Sequence, residues 1–292
     1  MGNKKTSSKR KSLSAGRPPL IQKPKATFSS KATRTIIRKH HNLLKAHAQA
    51  IKVGDDETAA ELAQQLSEDG GLSKYQQASQ IGQLNSRGGD TSKVLVNWLQ
   101  ESSILPWIHD QGSPLRVLEV GCLSPNNAIS KVPNVEMERI DLHSTHPSIR
   151  EQDFMKTLVP SLASEKFDLV SLSLVVNFVP EAAERGKMLQ RTSWFLSHTR
   201  KSTESSNASA VLPCLFLTLP LPCVENSRYF TAERLADIMN SLGYELTHSK
   251  TSTKIFYSLW KFNPVAVKPK LFKKEEIVTG RSRNNFAITL AG

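Results

Sequence analysis

The sequence predicts an α/β fold built on a mainly parallel sheet, and three observations carry that prediction. Short apolar runs alternate with helical patterns from residue 115 to about residue 261. Three of the runs lead into a glycine or an acidic residue, Gly121, Asp141 and Asp153, as the ligand-facing strand ends of a doubly wound sheet do. The last two runs, 244–247 and 254–261, are separated by a turn too short for a helix, which predicts an antiparallel ending.

The elements follow in order. Residues 1–30 mix Lys, Ser and Pro with almost no apolar content and are expected to be disordered. From about residue 33 the pattern turns helical: Ile36, Ile37, Leu43, Leu44 and Ile51 fall near one face, and Arg34, Arg38, Lys39, Lys45 and Lys52 line the rest. A second helix is expected over 56–67, where Leu62 and Leu66 stand four apart, with further helical pieces at 75–84 and 93–99. Together they form a helical N-terminal region, 31–112, expected to pack against the next domain, with the turn at Gly112, Ser113 and Pro114 as its boundary. The α/β domain covers 113–265, with strands at Leu115–Val120, 135–140, 167–174 and 212–219, a short run at 148–152, and helices at 181–197 and 231–242. The Ser- and Thr-rich stretch 198–210 reads as a surface loop, and 266–292 as a basic C-terminal extension.

Charge is unevenly placed. The net charge is +13, yet residues 1–52 hold ten lysines, four arginines and no acid, the first acidic residue being Asp55. The remaining 25 basic residues nearly balance all 26 acids, so the basic segment carries the excess. Such a segment suits counterion release from phosphates, and clusters such as Lys4 with Lys5 and Lys9 to Lys11 also read as a nuclear or nucleolar address. Near the C-terminus, Lys268, Lys270, Lys273, Lys274, Arg281 and Arg283 surround Phe272 and Phe286. That pattern fits single-stranded RNA, or equally a solvated tail packing two phenylalanines on the core. No apolar run reaches the roughly 20 residues needed to span a bilayer, and the charged N-terminus is followed by no apolar stretch of the kind a secretory signal needs. Three cysteines, Cys122, Cys214 and Cys223, form no C-x-x-C pair and point away from a disulfide framework or zinc site. The histidines show no ligand spacing, so no metal is expected; His143 and His146 read as loop residues beside Asp141.

The candidate chemistry lies at the strand ends. Gly121 closes the first strand, where the lack of a Cβ permits close backbone approach to a ligand. Asp141, 20 residues later, ends the second strand, where a carboxylate can accept ribose hydroxyls. Asp153 would accept an adenine amino group while Phe154 packs on the ring. The loop after Gly121 has no further glycine to admit a pyrophosphate, and Ser124 with Pro125 suits a helix start. Glu119 would repel a diphosphate and attract a methionine ammonium. The balance favours S-adenosylmethionine over a nicotinamide dinucleotide. At the end of the strand over 167–174, Asn177, Phe178, Val179 and Pro180 stand where a methyl acceptor would sit. Asn177 could bond an adenine edge and Phe178 stack on it; Asn177 could equally cap the helix near Pro180. This turn lacks the paired prolines typical of amino-group methyltransferases. A ring nitrogen such as adenine N1 needs no deprotonation, only flipping out, alignment and exclusion of water.

The segments LRVLEVGC (115–122), RIDL (139–142), QDF (152–154), FDLVSLSLVVNFVP (167–180, with Arg185 and Gly186) and YSLW (257–260) resemble the fungal 25S ribosomal RNA adenine-N1 methyltransferase family over roughly residues 75–265. The same family is similar to an animal S-adenosylmethionine sensor. The resemblance implies a Rossmann-like class I S-adenosylmethionine-dependent methyltransferase with an N-terminal helical extension. It further implies methylation of one adenine at N1 in large-subunit rRNA or a pre-ribosomal particle, in the nucleolus, with Gly121 and Asp141 as cofactor contacts. Leu123 and Pro125 depart from the wider methyltransferase pattern, where further glycines are usual. The rival reading is a cofactor sensor that docks a protein partner, for which the basic segment has no use.

Overall fold

The computed structural model describes residues 28–68, 71–82, 89–111, 113–144, 146–197 and 211–292. The expected disorder before residue 28 and the loop expected at 198–210 lie outside the described residues.

Seven strands form one sheet in the order β3-β2-β1-β4-β5-β7-β6. They are β1 (Leu115–Val120), β2 (Val135–Asp141), β3 (Arg150–Glu151), β4 (Leu169–Ser173), β5 (Cys214–Pro220), β6 (Tyr244–Thr251) and β7 (Ile255–Phe262). The first five pair in parallel, and β7 runs antiparallel to both β5 and β6. This is the sheet of a Rossmann-like class I methyltransferase, with the antiparallel ending that the short turn before β7 predicts. Its edges are a two-residue strand and a strand carrying Glu245, His248 and Lys250, both poor templates for further pairing.

The period-2 alternation of side chains sends each strand's apolar residues into two separate cores. Leu118 and Val120 of β1, Val170 and Leu172 of β4, and Leu215, Leu217 and Leu219 of β5 face α6 (Ala182–Phe195) and α8 (Ala232–Ser241). Leu115, Val117, Leu169, Cys214 and Phe216 face the other way, onto Leu95, Trp98 and Leu99 of α4 (Ser92–Glu101) and Ile104 and Ile108 of α5 (Ile104–Gln111).

That second core corrects the domain boundary expected at Gly112. The β1–β2 connection holds only a 3-10 turn, Ile129–Lys131, so it supplies no helix to cover the sheet. An exposed apolar face must be covered, and α4 and α5 cover it. They belong to the α/β domain. The separate helical part is α1 (Ser30–Val53), α2 (Asp56–Glu68) and α3 (Gly71–Gly82), which pack on one another. Helix α1 starts on Ser29, whose hydroxyl accepts from the Ala32 amide, and ends on Gly54 in the left-handed region (φ 75°).

The C-terminal segment is also part of the core. Phe272, Phe286, Ile288 and Leu290 are buried with α6 and α8, which decides between the two readings of the aromatics there. Arg185 anchors it: the guanidinium donates to the carbonyls of Val179, Pro180 and Ala287 and lies over the Phe286 ring. A Cβ on Gly186 would collide with the Thr289 carbonyl, so the Arg185–Gly186 pair serves to hold this strap. The lysines at 268, 270, 273 and 274 stay exposed around it.

Candidate active site

The carboxyl ends of β1, β2 and β4 lie side by side, since Val120 pairs with Ile140 on one side and Leu172 on the other. Just past β1, the Gly121 and Cys122 amides both donate to the Ile140 carbonyl, at 2.8 and 3.2 Å. Gly121 has φ 75°, and a Cβ there would stand 2.5 Å from Val175 Cγ2. The close approach that requires a glycine is therefore made by a valine of the β4 turn, where ligand approach was expected. Gly121 thus ties the end of β1 to the turn after β4.

Asp141 closes β2 with its Oδ1 accepting from the His143 amide at 2.9 Å. Burial pushes its pKa up, against the pull of that hydrogen bond and of the His143 charge. Glu119 shares the face of Leu115 and Val117 and is enclosed; Asn127 Nδ2 donates to both its oxygens at 2.7 and 2.8 Å. Its pKa is raised, chiefly by burial.

Asn127 and Asp90 are the residues that sequence reasoning missed here. Asn127 Oδ1 accepts from the Ser130 amide and hydroxyl, and Ser130 Oγ accepts from Arg139. Asp90 Oδ2 accepts from the Ala128 amide, while its Oδ1 takes the Ser92 amide and hydroxyl at the start of α4. The run Asp90, Thr91, Ser92 ahead of an apolar stretch was a legible cap signal for Asp90. Nothing in the sequence distance between 119 and 127 announced Asn127.

The helix expected from Ser124 and Pro125 does not form. Ser124 Oγ accepts from the Asn126 amide in a tight turn, and Asn127 spends its side chain on Glu119 and Ser130. Side chains that bond nearby groups offer the backbone an alternative to a helix, and they win here.

Asp153 and Phe154 part company. Asp153 is partly open, with Oδ1 accepting from the Met155 amide at 2.8 Å. Phe154 is 3% exposed, its ring 5.1 Å from that of Phe195 and under the Arg191 guanidinium. It has no face left for an adenine, which corrects the role expected of it. The burial of a phenylalanine ring, about 2 to 3 kcal/mol, outweighs exposure at the rim.

The β4 turn is built under constraint. Leu174 takes φ 58°, a strained value for leucine, with its amide donating to the carbonyl and hydroxyl of Thr218. Ser173 Oγ lies 2.7 Å from Thr91 Oγ1, joining β4 to the start of α4. Residues Val176–Phe178 form a 3-10 turn, and α6 starts later, with Glu181 at the N-cap position and no side-chain cap. Asn177 therefore caps nothing: its Oδ1 is buried with no hydrogen-bond partner among the described residues.

Helices α1 and α3 roof this turn. The His41 ring meets Phe178 edge-on at 4.2 Å, and Tyr75 meets it at 5.7 Å. Tyr75 in turn stacks on His40 at 4.5 Å. Gln76 donates to the His143 carbonyl, so the roof touches the Asp141 end as well. Lys52 reaches Glu181 at 3.8 Å. Burial holds His41 down to about 4, reinforced by the positive charges of Lys45, His40 and Arg185. Burial pushes the Cys223 thiol up to about 12, so it is no ready nucleophile. A cavity of about 240 Å³ opens between α1 and α3, lined by Lys39, His40, Lys74 and Tyr75 among others. Among the described residues no cluster of His, Cys, Asp and Glu could hold a metal ion, and no helix is long and apolar enough to cross a membrane.

The model of the family described as 25S rRNA (adenine(2142)-N(1))-methyltransferase, Bmt2, matches residues 60–288, from within α2 to the C-terminal strap. The chain belongs to this family. It is 34% identical over 253 residues to the 25S rRNA adenine-N(1) methyltransferase of Schizosaccharomyces pombe, covering 87% of this chain and 89% of that one. It is 38% identical over 229 residues to the 25S rRNA (adenine(2142)-N(1))-methyltransferase of Saccharomyces cerevisiae, covering 77% of this chain and 62% of that longer protein. Among solved structures, the N-methyltransferase NodS of Bradyrhizobium japonicum with S-adenosyl-l-homocysteine aligns with TM-score 0.35 and 12% identity, over 56% of this chain and 86% of that one. TnmH aligns with TM-score 0.44 and 11% identity, over 77% of this chain and 70% of that one. The fold assignment rests on the strand order itself, and these distant likenesses add nothing to it.

Proposed function

We propose that this protein is an S-adenosylmethionine-dependent methyltransferase acting on N1 of an adenine in large-subunit rRNA. The observation that carries the reading is the β4 turn. It presents Phe178 and a buried, partnerless Asn177 Oδ1 beside the ends of β1 and β2, in a chain whose relatives are named for this reaction.

The residues fit the cofactor. Asp141 stands at the end of β2, where its carboxylate can accept the ribose hydroxyls, next to the positive-φ turn at Gly121. Glu119 can face the methionine ammonium once Asn127 yields one of its contacts, and Asp153 stands at the rim for the adenine amino group. The bound cofactor supplies an electrophilic methyl group on a sulfonium. The chain's part is to hold the acceptor: Phe178 offers a ring face, and Asn177 Oδ1 accepts from the exocyclic amino group. The N1 lone pair lies in the ring plane and attacks without losing a proton, so alignment and exclusion of water suffice.

The basic segment before Asp55 suits contact with rRNA or a pre-ribosomal particle and, with its lysine clusters, a nucleolar address. The test is incubation with labelled S-adenosylmethionine and unmodified large-subunit rRNA, followed by digestion and chromatography of the nucleosides. N1-methyladenosine is expected, identified by its rearrangement to the N6 isomer in mild alkali. Direct formation of N6-methyladenosine, or label confined to protein, overturns the reading.

A further inference from the structure

Two buried polar atoms near Phe178 have no hydrogen-bond partner among the described residues: Oδ1 of Asn177 and Nε2 of His41. They come from different elements, one from the β4 turn and one from α1, and the His41 ring meets that of Phe178, the residue that follows Asn177. A buried polar atom without a partner costs about 1 to 3 kcal/mol, and two on residues that adjoin one ring mark a place where a ligand can complete the bonding.

The chemistry of that ligand can be read from the pair. Asn177 Oδ1 is an acceptor and calls for an N–H. In the tautomer that carries its proton on Nε2, the neutral imidazole is a donor there and calls for an acceptor. Burial and the neighbouring cations keep His41 neutral at pH 7. Adenine offers this donor–acceptor pair on its Hoogsteen edge, as the N6 amino group beside N7. Guanine offers two acceptors there, O6 and N7, and O6 would oppose Asn177 Oδ1.

Resting on the proposed function, we infer that His41 is a positioning residue for the acceptor base. It donates from Nε2 to adenine N7 while Asn177 takes the amino group and Phe178 and Tyr75 supply aromatic walls. Reading the base by its Hoogsteen edge leaves N1, on the opposite side of the amino group, free to face the methyl donor. The roof of α1 and α3 is thereby part of the active site, while the selection against guanine comes from Asn177 on the β4 turn.

The test uses the full chain with two transcripts of large-subunit rRNA, one ordinary and one made with 7-deazaadenosine, in which a C–H replaces N7 and base pairing is kept. The variants are His41→Ala and His41→Phe, the second keeping an aromatic ring against Phe178. The wild-type chain should methylate the 7-deaza transcript about tenfold more slowly than the ordinary one, the size of one lost hydrogen bond. Both variants should show that same loss on the ordinary transcript and no further loss on the 7-deaza transcript, with cofactor affinity within about twofold of wild type. This non-additivity is the signature of a shared contact, and a purely structural role for His41 would not produce it. A wild-type chain that treats the two transcripts alike, or variants whose losses multiply with the 7-deaza loss, overturns the assignment and leaves the methyltransferase reading standing. A wild-type chain inactive on the ordinary transcript overturns that reading, and the role of His41 with it.

Discussion

Helices α4 and α5 follow α1 to α3 along the N-terminal part of the chain, yet the two sets are used in different ways. Leu95, Leu99, Ile104 and Ile108 are at most 1% exposed and fill the core beneath β1, β4 and β5. The roof helices bury mostly small side chains, Ala50, Ala59 and Ala78 among them, and His41 and Lys52 are among the α1 side chains that reach the α/β domain. One set holds the sheet together, and the other touches only the rim of the crevice. Sequence neighbours with the same helical periodicity can thus serve stability or the site, and the depth of burial tells which.

Four experiments would sharpen or break this contrast. The largest effect is expected from Leu99→Ala in α4, which leaves a cavity in the second core and should lower unfolding stability by about 2 to 5 kcal/mol in denaturant titration. A loss below about 1 kcal/mol would mean that α4 is not integral to the α/β domain. Next comes Gly121→Arg, which puts a side chain at φ 75° into Val175. Calorimetric titration should show cofactor binding lost, and the melting temperature should also fall, because the clash lies within the protein; overpacking of this kind costs about 1 to 3 kcal/mol. Unchanged affinity would remove the site from the end of β1.

The third concerns pH. His41 is held at about 4 in the docked roof, against its ordinary 6.5 when exposed. A base whose pKa is lowered by docking binds its proton better undocked, so docking is fully stable above about 6.5 and weakens as pH falls toward 4. Hydrogen exchange, corrected for its intrinsic pH dependence, should show α1 losing protection between pH 7 and 5 while α4 does not. Equal loss in both would contradict a roof that opens separately. The smallest effect is expected of Lys52→Ala: its ion pair with Glu181 is solvent-exposed, and removing it should change stability by at most about 1 kcal/mol. A larger loss would make the roof a structural element like α4.

Much of the fold was legible because it is written in local patterns. β1 occupies the residues its apolar run predicts, and the short turn before β7 announced the antiparallel ending. The positions of Gly121 and Asp141 were legible for a similar reason: the apolar runs before them predict where β1 and β2 end. Phe154 was misread because its neighbour Asp153 does lie at the rim, and adjacency along the chain does not say which way a ring turns. The helix expected at Ser124 failed because Asn127, three residues on, was already engaged by Glu119.

The amino-acid sequence by itself determined the α/β class, the strand-end acids, the unequal charge and the family, since each depends on residue type and short-range spacing. Only the tertiary structure decided that α4 and α5 cover the sheet, that Arg185 and Gly186 hold the C-terminal strap, and that His41 meets Phe178. Those contacts join residues 100 or more positions apart in the strap, where Arg185 bonds Ala287, and in the roof. A periodic pattern says that a face will be buried, and the choice of partner is made only when every other face in the molecule competes for the same cover.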